Sequence, residues 1–327
     1  MNKIRWGILS TAHINRKVIP AMRMSARGEL VAVASRDLDK ARRYAQEWEI
    51  PQAFGSYQEL LASGTVDAVY ISLPNHLHAE WTIKALDAGL HVLCEKPFAL
   101  TLRDVDAMIA ASQRSGRVLA EAFMYRHHPQ TKMVGEMVQR GDLGEALLVH
   151  GAFTFIIDGP DNIRLNPDLG GGSLWDVGVY PISLAQYVFG SAPDWVSASQ
   201  KLGPTGVDET FSALLHYPGG GSAQILSSLE APYYSYAEIF GSQGRLALER
   251  PFTGQDENTV IRYYPKNDAL REIPVPDQDL YLGEIEDMHA AILDGKPTYL
   301  RLDETRDHVR TVLALYQAAR QGVIVHL

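Results

Sequence analysis

Over roughly the first 120 residues, short apolar runs alternate with stretches of helical periodicity. The runs are Ile4–Leu9, Leu30–Ala34, Ala68–Leu73, His91–Cys94 and Arg117–Ala120, and each reads as a strand. Between them, Leu38, Ala41, Ala45 and Trp48 recur on one helical face. Leu77, Trp81, Ala85 and Ala88 form a second face, with Gly89 as its stop signal. Leu102, Val105, Ile109 and Ser112 form a third, with Thr101 as N-cap. Strand and helix alternating in this way predict βαβ units and a doubly wound parallel sheet.

The pattern changes after residue 122. A helix around Gln130–Arg140 leads into Leu147-x-Val149-x-Gly151-x-Phe153-x-Phe155, where apolar positions recur at every second residue. Further strand-like runs are Phe211–Tyr217, Ala223–Leu229, Ala237–Phe240, Arg245–Leu248 and Val260–Tyr264, separated by turns such as Pro218-Gly219-Gly220-Gly221. Two helices, near Leu282–Leu293 and Asp303–Arg320, close the chain. The fold expected is α/β: a Rossmann-type dinucleotide-binding domain over residues 1–122, then an α+β domain over residues 123–327. The second domain would carry substrate and oligomer contacts on a large, mostly antiparallel open sheet.

Composition narrows the function. The 327 residues carry a net charge of −9, which argues against nucleic acid or an anionic membrane as partner. Residues 1–50 nevertheless hold ten Lys/Arg against five Asp/Glu, so an anionic ligand is expected at the N-terminal end. The single cysteine, Cys94, excludes an intramolecular disulfide and a Cys-only zinc site. No apolar run approaches the roughly 18 residues of a spanning helix. Met1-Asn2-Lys3-Ile4-Arg5-Trp6 leads straight into a strand, so a soluble cytoplasmic protein is the expectation.

The candidate chemistry lies at the strand ends. In a doubly wound sheet, a dinucleotide pyrophosphate rests on the turn after the first strand and the following helix N-terminus. Here that turn is Ser10-Thr11-Ala12-His13-Ile14, and Ser10, Ala12 and Asn15 stand at the three fingerprint glycine positions. The second strand ends in Ser35-Arg36 with Lys40 one turn later, a hydroxyl and two cations suited to a 2′-phosphate. NADP is therefore expected over NAD, the alternative being an Arg36 paired with Asp37 or Asp39. Cys94-Glu95-Lys96-Pro97 follows another short strand, where a lysine is placed to transfer a proton.

Four ordered motifs give context to that lysine. They are Leu73-Pro74-Asn75-His76-Leu77-His78, Glu95-Lys96-Pro97, Glu121-Ala122-Phe123-Met124-Tyr125-Arg126-His127-His128-Pro129, and Leu169-Gly170-Gly171-Gly172-Ser173-Leu174-Trp175-Asp176-Val177-Gly178-Val179-Tyr180-Pro181. Together they closely resemble the glucose–fructose oxidoreductase/inositol dehydrogenase (Gfo/Idh/MocA) family along essentially the whole chain. The likeness is greatest to its branch of dihydrodiol and NADP-dependent aldose dehydrogenases.

The resemblance implies a role for each matched residue. Lys96 would be the central acid/base group, with Glu95 orienting it and touching the cofactor, and the Lys96–Pro97 bond would be cis. Asp176 and Tyr180 match the family's Asp-x-x-x-His/Tyr pair; Tyr180 departs from the inositol dehydrogenases, which carry His there. Leu73, Pro74, Asn75 and His78 would line the nicotinamide ribose, and Arg126 would approach the carboxamide or substrate. A sugar-like alcohol would dock between the domains, aldose oxidation at C1 leading among the substrates. Dihydrodiol oxidation and keto-sugar or anhydrofructose reduction remain open, as does a non-catalytic NADP-binding regulator.

Without the family, the spacing of Asp176 and Tyr180 still puts both on one face of any helix opened by the glycine run. A buried core ring is the competing reading of Tyr180. No metal is expected: His76, His78, His127 and His128 are present, but no H-E-x-x-H pattern is. A homodimer or homotetramer through the C-terminal sheet is expected, with Leu147, Val149, Phe153 and Phe155 facing the partner.

Overall fold

The computed structural model describes residues 3–159, 162–253 and 259–327; Met1 and Asn2, read above as the lead into the first strand, lie outside them. In chain order the first elements are β1 (Ile4–Leu9), α1 (Asn15–Met24), β2 (Gly28–Ala34), α2 (Leu38–Glu47), β3 (Gln52–Phe54), α3 (Tyr57–Ala62), β4 (Ala68–Ile71) and α4 (His78–Asp87). There follow β5 (His91–Glu95), α5 (Leu102–Ser115), β6 (Leu119–Ala122), α6 (Met124–His127), α7 (Pro129–Gln139), β7 (Ala146–Ile156) and α8 (Val179–Phe189). Next come β8 (Trp195–Leu202), β9 (Asp208–His216), β10 (Ser222–Ser228), β11 (Glu230–Gly241), β12 (Gly244–Glu249), β13 (Val260–Pro265) and β14 (Arg271–Pro274). The last are α9 (Leu282–Asp294), α10 (Leu302–Gln321) and β15 (Val325–His326).

The chain divides into two compact units. The first joins Met1–His127 to Tyr281–Thr305, and the second joins His128–Leu280 to Arg306–Leu327. A linear reading with one boundary at residue 122 puts α9 in the second domain, whereas the structure packs it in the first. The reason is a set of contacts that helical periodicity does not encode. Trp6 Nε1 donates to His289 Nε2 at 2.9 Å, Ser25 Oγ lies 3.0 Å from His289 Nδ1, and Arg27 pairs with Asp294 at 2.6 Å.

In the first unit six strands form a parallel sheet in the order β3-β2-β1-β4-β5-β6. The order reverses between β1 and β4, which makes the carboxyl ends of these strands the ligand-binding edge of such a sheet. The central strands are buried on both faces, as their continuous apolar runs require. Side-chain caps start three of the flanking helices: Asp37 on α2, Ser56 on α3 and Thr101 on α5.

In the second unit nine strands run β14-β13-β12-β11-β7-β10-β9-β8-β15, antiparallel except for the β7–β10 pair. One face is covered by α8. A Cβ on Gly151 of β7 would lie 2.6 Å from Pro181, and Phe153 packs edge-on against the Tyr180 ring at 5.4 Å. This corrects the expectation for Leu147, Val149, Phe153 and Phe155. Val149 and Phe153 are buried beneath the chain's own helix, so their alternation records an internal packing face. The opposite face, through Leu214, Leu226 and Tyr234, is exposed.

Candidate active site

The turn after β1 lacks the fingerprint glycines and is built from side chains instead. Ser10 has φ +129°, a conformation that glycine adopts more readily. Its Oγ accepts from the Ala12 N–H at 3.1 Å and lies 2.9 Å from Ser72 Oγ. The buried Asn15 amide donates to the Ser10 carbonyl at 3.0 Å and accepts from Ser72 Oγ at 2.6 Å. Thr11, Ala12 and Ile14 are half-buried and His13 is exposed. No side chain caps α1 and no acidic residue stands in its first turn; the Asn15, Arg16 and Lys17 N–H groups turn back on the Ala12, His13 and Ile14 carbonyls, so what this end offers an anion is the positive end of the helix dipole.

At the end of β2, Ser35 is buried and Arg36 exposed. Asp37 accepts the Lys40 N–H at 3.0 Å, and that bond, as the α2 cap, holds its carboxyl below the ordinary range. Asp39 pairs with Arg42 at 3.6 Å. The Arg36 charge instead acts on the Tyr57 phenol, partly offsetting the upward push of burial. With Lys40 and Arg43 on α2, the strand end carries three neighbouring cations.

The ends of β4 and β5 carry the lysine. The Lys96–Pro97 bond is cis, and Glu95 and Lys96 are half-buried. Behind them the fully buried Tyr70 hydroxyl donates to Glu95 Oε1, and burial first, then the Glu95 charge, pushes the phenol well above its usual range. Leu73 is buried, while Pro74 and Asn75 are half-buried.

Two of the motif residues are buried. His78 is wholly buried, with Nδ1 2.8 Å from the Pro97 carbonyl and Nε2 2.8 Å from the Leu73 carbonyl. Its ring thereby braces the segment after β4 against the segment after β5. Arg126 is also buried, at 1% exposure, and its Nη1 donates to Glu304 at 2.6 Å. One end of that guanidinium is thus held by a carboxylate of the same unit.

Glu121, which heads the third motif but is given no role there, ties this edge together. It accepts from the Phe98 N–H at 3.2 Å and from Thr305 Oγ1 at 3.0 Å, and burial raises its carboxyl to about 7.

In the second unit Asp176 lies in a π-helical turn, Leu174–Gly178, that runs into α8, and Tyr180 is the second residue of α8. Such turns recur at functional sites. Asp176 is 15% exposed and accepts from Arg164 Nε at 2.6 Å. The Tyr180 ring is buried between Phe153 and Phe252, at 5.4 and 5.6 Å. Asp208 anchors the start of the turn, accepting from Ser173 Oγ at 2.7 Å, the Leu174 N–H at 2.8 Å and Tyr316 Oη at 2.7 Å. Its importance has no local sequence signal, since its partners lie 34 to 108 residues away.

Among the described residues no three His, Cys, Asp or Glu side chains come together as a metal site, and no helix is long and apolar enough to cross a membrane.

Comparison with known proteins bears on this arrangement. Residues 4–123 match the family model described as an oxidoreductase family with an NAD-binding Rossmann fold, and residues 131–247 match the GFO/IDH/MocA C-terminal domain. The chain is 38% identical to D-xylose 1-dehydrogenase (NADP(+)) 2 of Haloferax volcanii, over 98% of this chain and 99% of that one. The structure of an aldose-aldose oxidoreductase from Caulobacter crescentus, complexed with glycerol, superposes with a TM-score of 0.92 at 28% identity, covering 100% of both chains. A 3-ketoreductase from Actinomadura kijaniata, in complex with NADP and TDP-benzene, superposes with a TM-score of 0.90 at 33% identity, covering 97% of this chain and 98% of that one. Matched along both units by family models and along nearly its full length by relatives, the chain belongs to the Gfo/Idh/MocA oxidoreductase family.

Proposed function

We propose that this protein is an NADP(H)-dependent oxidoreductase of carbohydrate-type alcohols, and that its reaction is the oxidation of an aldose at C1 to the lactone. The observation that carries the reading is Lys96 at the carboxyl end of β5, beside the β1/β4 switch point, with Glu95 held behind it by Tyr70. The residues fit the cofactor. The uncapped α1 N-terminus suits the pyrophosphate, and Arg36, with Lys40 beside it, suits a 2′-phosphate. When bound, the nicotinamide takes up the hydride from C1.

The chain's own groups handle the proton and the geometry. Lys96 accepts the proton of the C1 hydroxyl as the carbonyl forms, and Tyr180 takes part in that transfer. Asp176 orients the hydroxyl. In the reverse direction Lys96 returns the proton to the oxygen of a carbonyl. Likeness to the Actinomadura kijaniata 3-ketoreductase favours this keto-sugar reduction as the second reading.

The exposed face of the nine-stranded sheet is proposed to pair with a second copy of the chain. Its aromatic and aliphatic positions fit a self-complementary interface better than solvent does.

The test is a panel of aldoses, polyols and trans-dihydrodiols with NADP⁺ and NAD⁺, read at the NADPH absorbance band. Turnover of D-xylose or another aldose with NADP⁺ is expected. Tight NADPH binding without aldose turnover would transfer the assignment to carbonyl reduction. Neither binding nor turnover would favour a regulator and overturn the enzyme reading.

A further inference from the structure

We infer that Arg164 is a positioning residue for this reaction, fixing the carboxylate of Asp176 in the orientation in which it meets substrate. The inference rests on the part given above to Asp176. Its basis is a loop that closes on itself. Arg164 Nε donates to Asp176 Oδ2 at 2.6 Å, with Asp176 15% and Arg164 41% exposed. The guanidinium carbon also stands 5.8 Å from the centre of the Phe155 ring, which limits where the side chain can swing.

The main chain of Arg164 is held from both sides. Its N–H donates to Asn162 Oδ1 at 3.1 Å, and its carbonyl accepts the Gly172 N–H at 2.9 Å. The Gly171 N–H donates to the Asn166 carbonyl at 3.0 Å. A Cβ on Gly171 would lie 2.4 Å from the Arg164 carbonyl oxygen, so this close approach admits only glycine. The Gly172 carbonyl in turn accepts the Asp176 N–H at 3.0 Å.

One glycine run therefore grips the backbone of the arginine and starts the helical turn of the aspartate. This makes the ion pair the short side of a rigid ring. A charge-assisted bond to one carboxylate oxygen holds that oxygen in place and narrows the directions open to the second. Loss of that restraint costs rate at the chemical step, because misplacement of a group by about 1 Å is enough to lower turnover about 100-fold.

The experiment compares Arg164→Gln, Arg164→Lys, Asp176→Asn and the pair Arg164→Gln/Asp176→Asn with the unchanged protein. The readouts are kcat and KM with NADP⁺ and the best aldose of the panel, the isotope effect with that aldose deuterated at C1, and NADPH affinity by fluorescence. Arg164→Gln is expected to lower kcat at least about 10-fold, to raise the isotope effect and to leave NADPH affinity unchanged. Arg164→Lys should recover part of the rate, and Arg164→Gln should cost nothing further once Asp176 is Asn. A purely structural ion pair would lower thermal stability while leaving kcat and the isotope effect of the folded protein where they were, and that result overturns the proposal. An impaired Asp176→Asn beside a normal Arg164→Gln refutes the role of Arg164 alone. A fully active Asp176→Asn refutes the reading of Asp176 and the proposal with it.

Discussion

Ser10 shows how single residues rebuild a loop whose glycines are missing. A non-glycine residue at φ +129° costs on the order of 1–3 kcal/mol. Its hydroxyl answers the Ala12 N–H, and Asn15 ties its carbonyl to Ser72. At about 1 kcal/mol for each net hydrogen bond, this network offsets the strain and keeps the turn in one shape without glycine. At the same scale, Arg36 is the residue expected to choose the cofactor. Its neighbouring carboxylates are engaged elsewhere, and a charge-assisted contact to a 2′-phosphate is worth roughly 1.5–3 kcal/mol. Arg36→Ala should accordingly reduce the NADP/NAD ratio of kcat/KM by about 10- to 100-fold. An unchanged ratio would remove Arg36 from the phosphate site.

Among the elements, α9 has the clearest consequence for stability. Its His289 is fully buried, accepts from Trp6 and must therefore carry its proton on Nδ1, toward Ser25. Burial lowers its pKa to about 4. A histidine depressed in the fold binds its proton more tightly when unfolded, so its contribution is complete above about pH 6.5 and is lost as pH falls toward 4. Glu121 runs the other way: raised from 4.5 to about 7, its contribution is complete below 4.5 and is lost as pH rises toward 7. Urea midpoints between pH 7 and pH 5 should hence fall less steeply for His289→Asn than for the unchanged protein. Equal slopes would mean that His289 is not the group concerned.

The elements also show what a sequence can disclose. Buried parallel strands read as continuous apolar runs, and the Thr101 cap of α5 is legible because its signal is local. The three-residue β3 and the edge strands β14 and β15 carry too short a pattern to register. The destination of α9, the facing direction of β7, and the partners of Asp176 and Asp208 depend on contacts between distant residues. Motif resemblance singled out Lys96, Asp176 and Tyr180, yet it gave no hint that His78 and Arg126 are held inside the protein.

For the molecule as a whole, the open sheet is the surface proposed to meet a second copy. Its outer face aligns Leu226, Ala152 and Tyr236 in one row and Leu148, Phe240, Arg245 and Tyr264 in another. The Arg245 guanidinium carbon lies 4.0 Å from the centre of the Tyr264 ring. Sedimentation velocity should find a dimer or tetramer that Tyr236→Arg weakens, whereas a monomeric unchanged protein would leave the face without this use. The chemistry proposed for Lys96 is tested by Lys96→Met, assayed for NADP⁺-dependent aldose oxidation beside NADPH binding by fluorescence. kcat should fall at least about 100-fold while NADPH is still bound. Near-normal turnover by Lys96→Met would contradict a proton-transfer role for this lysine.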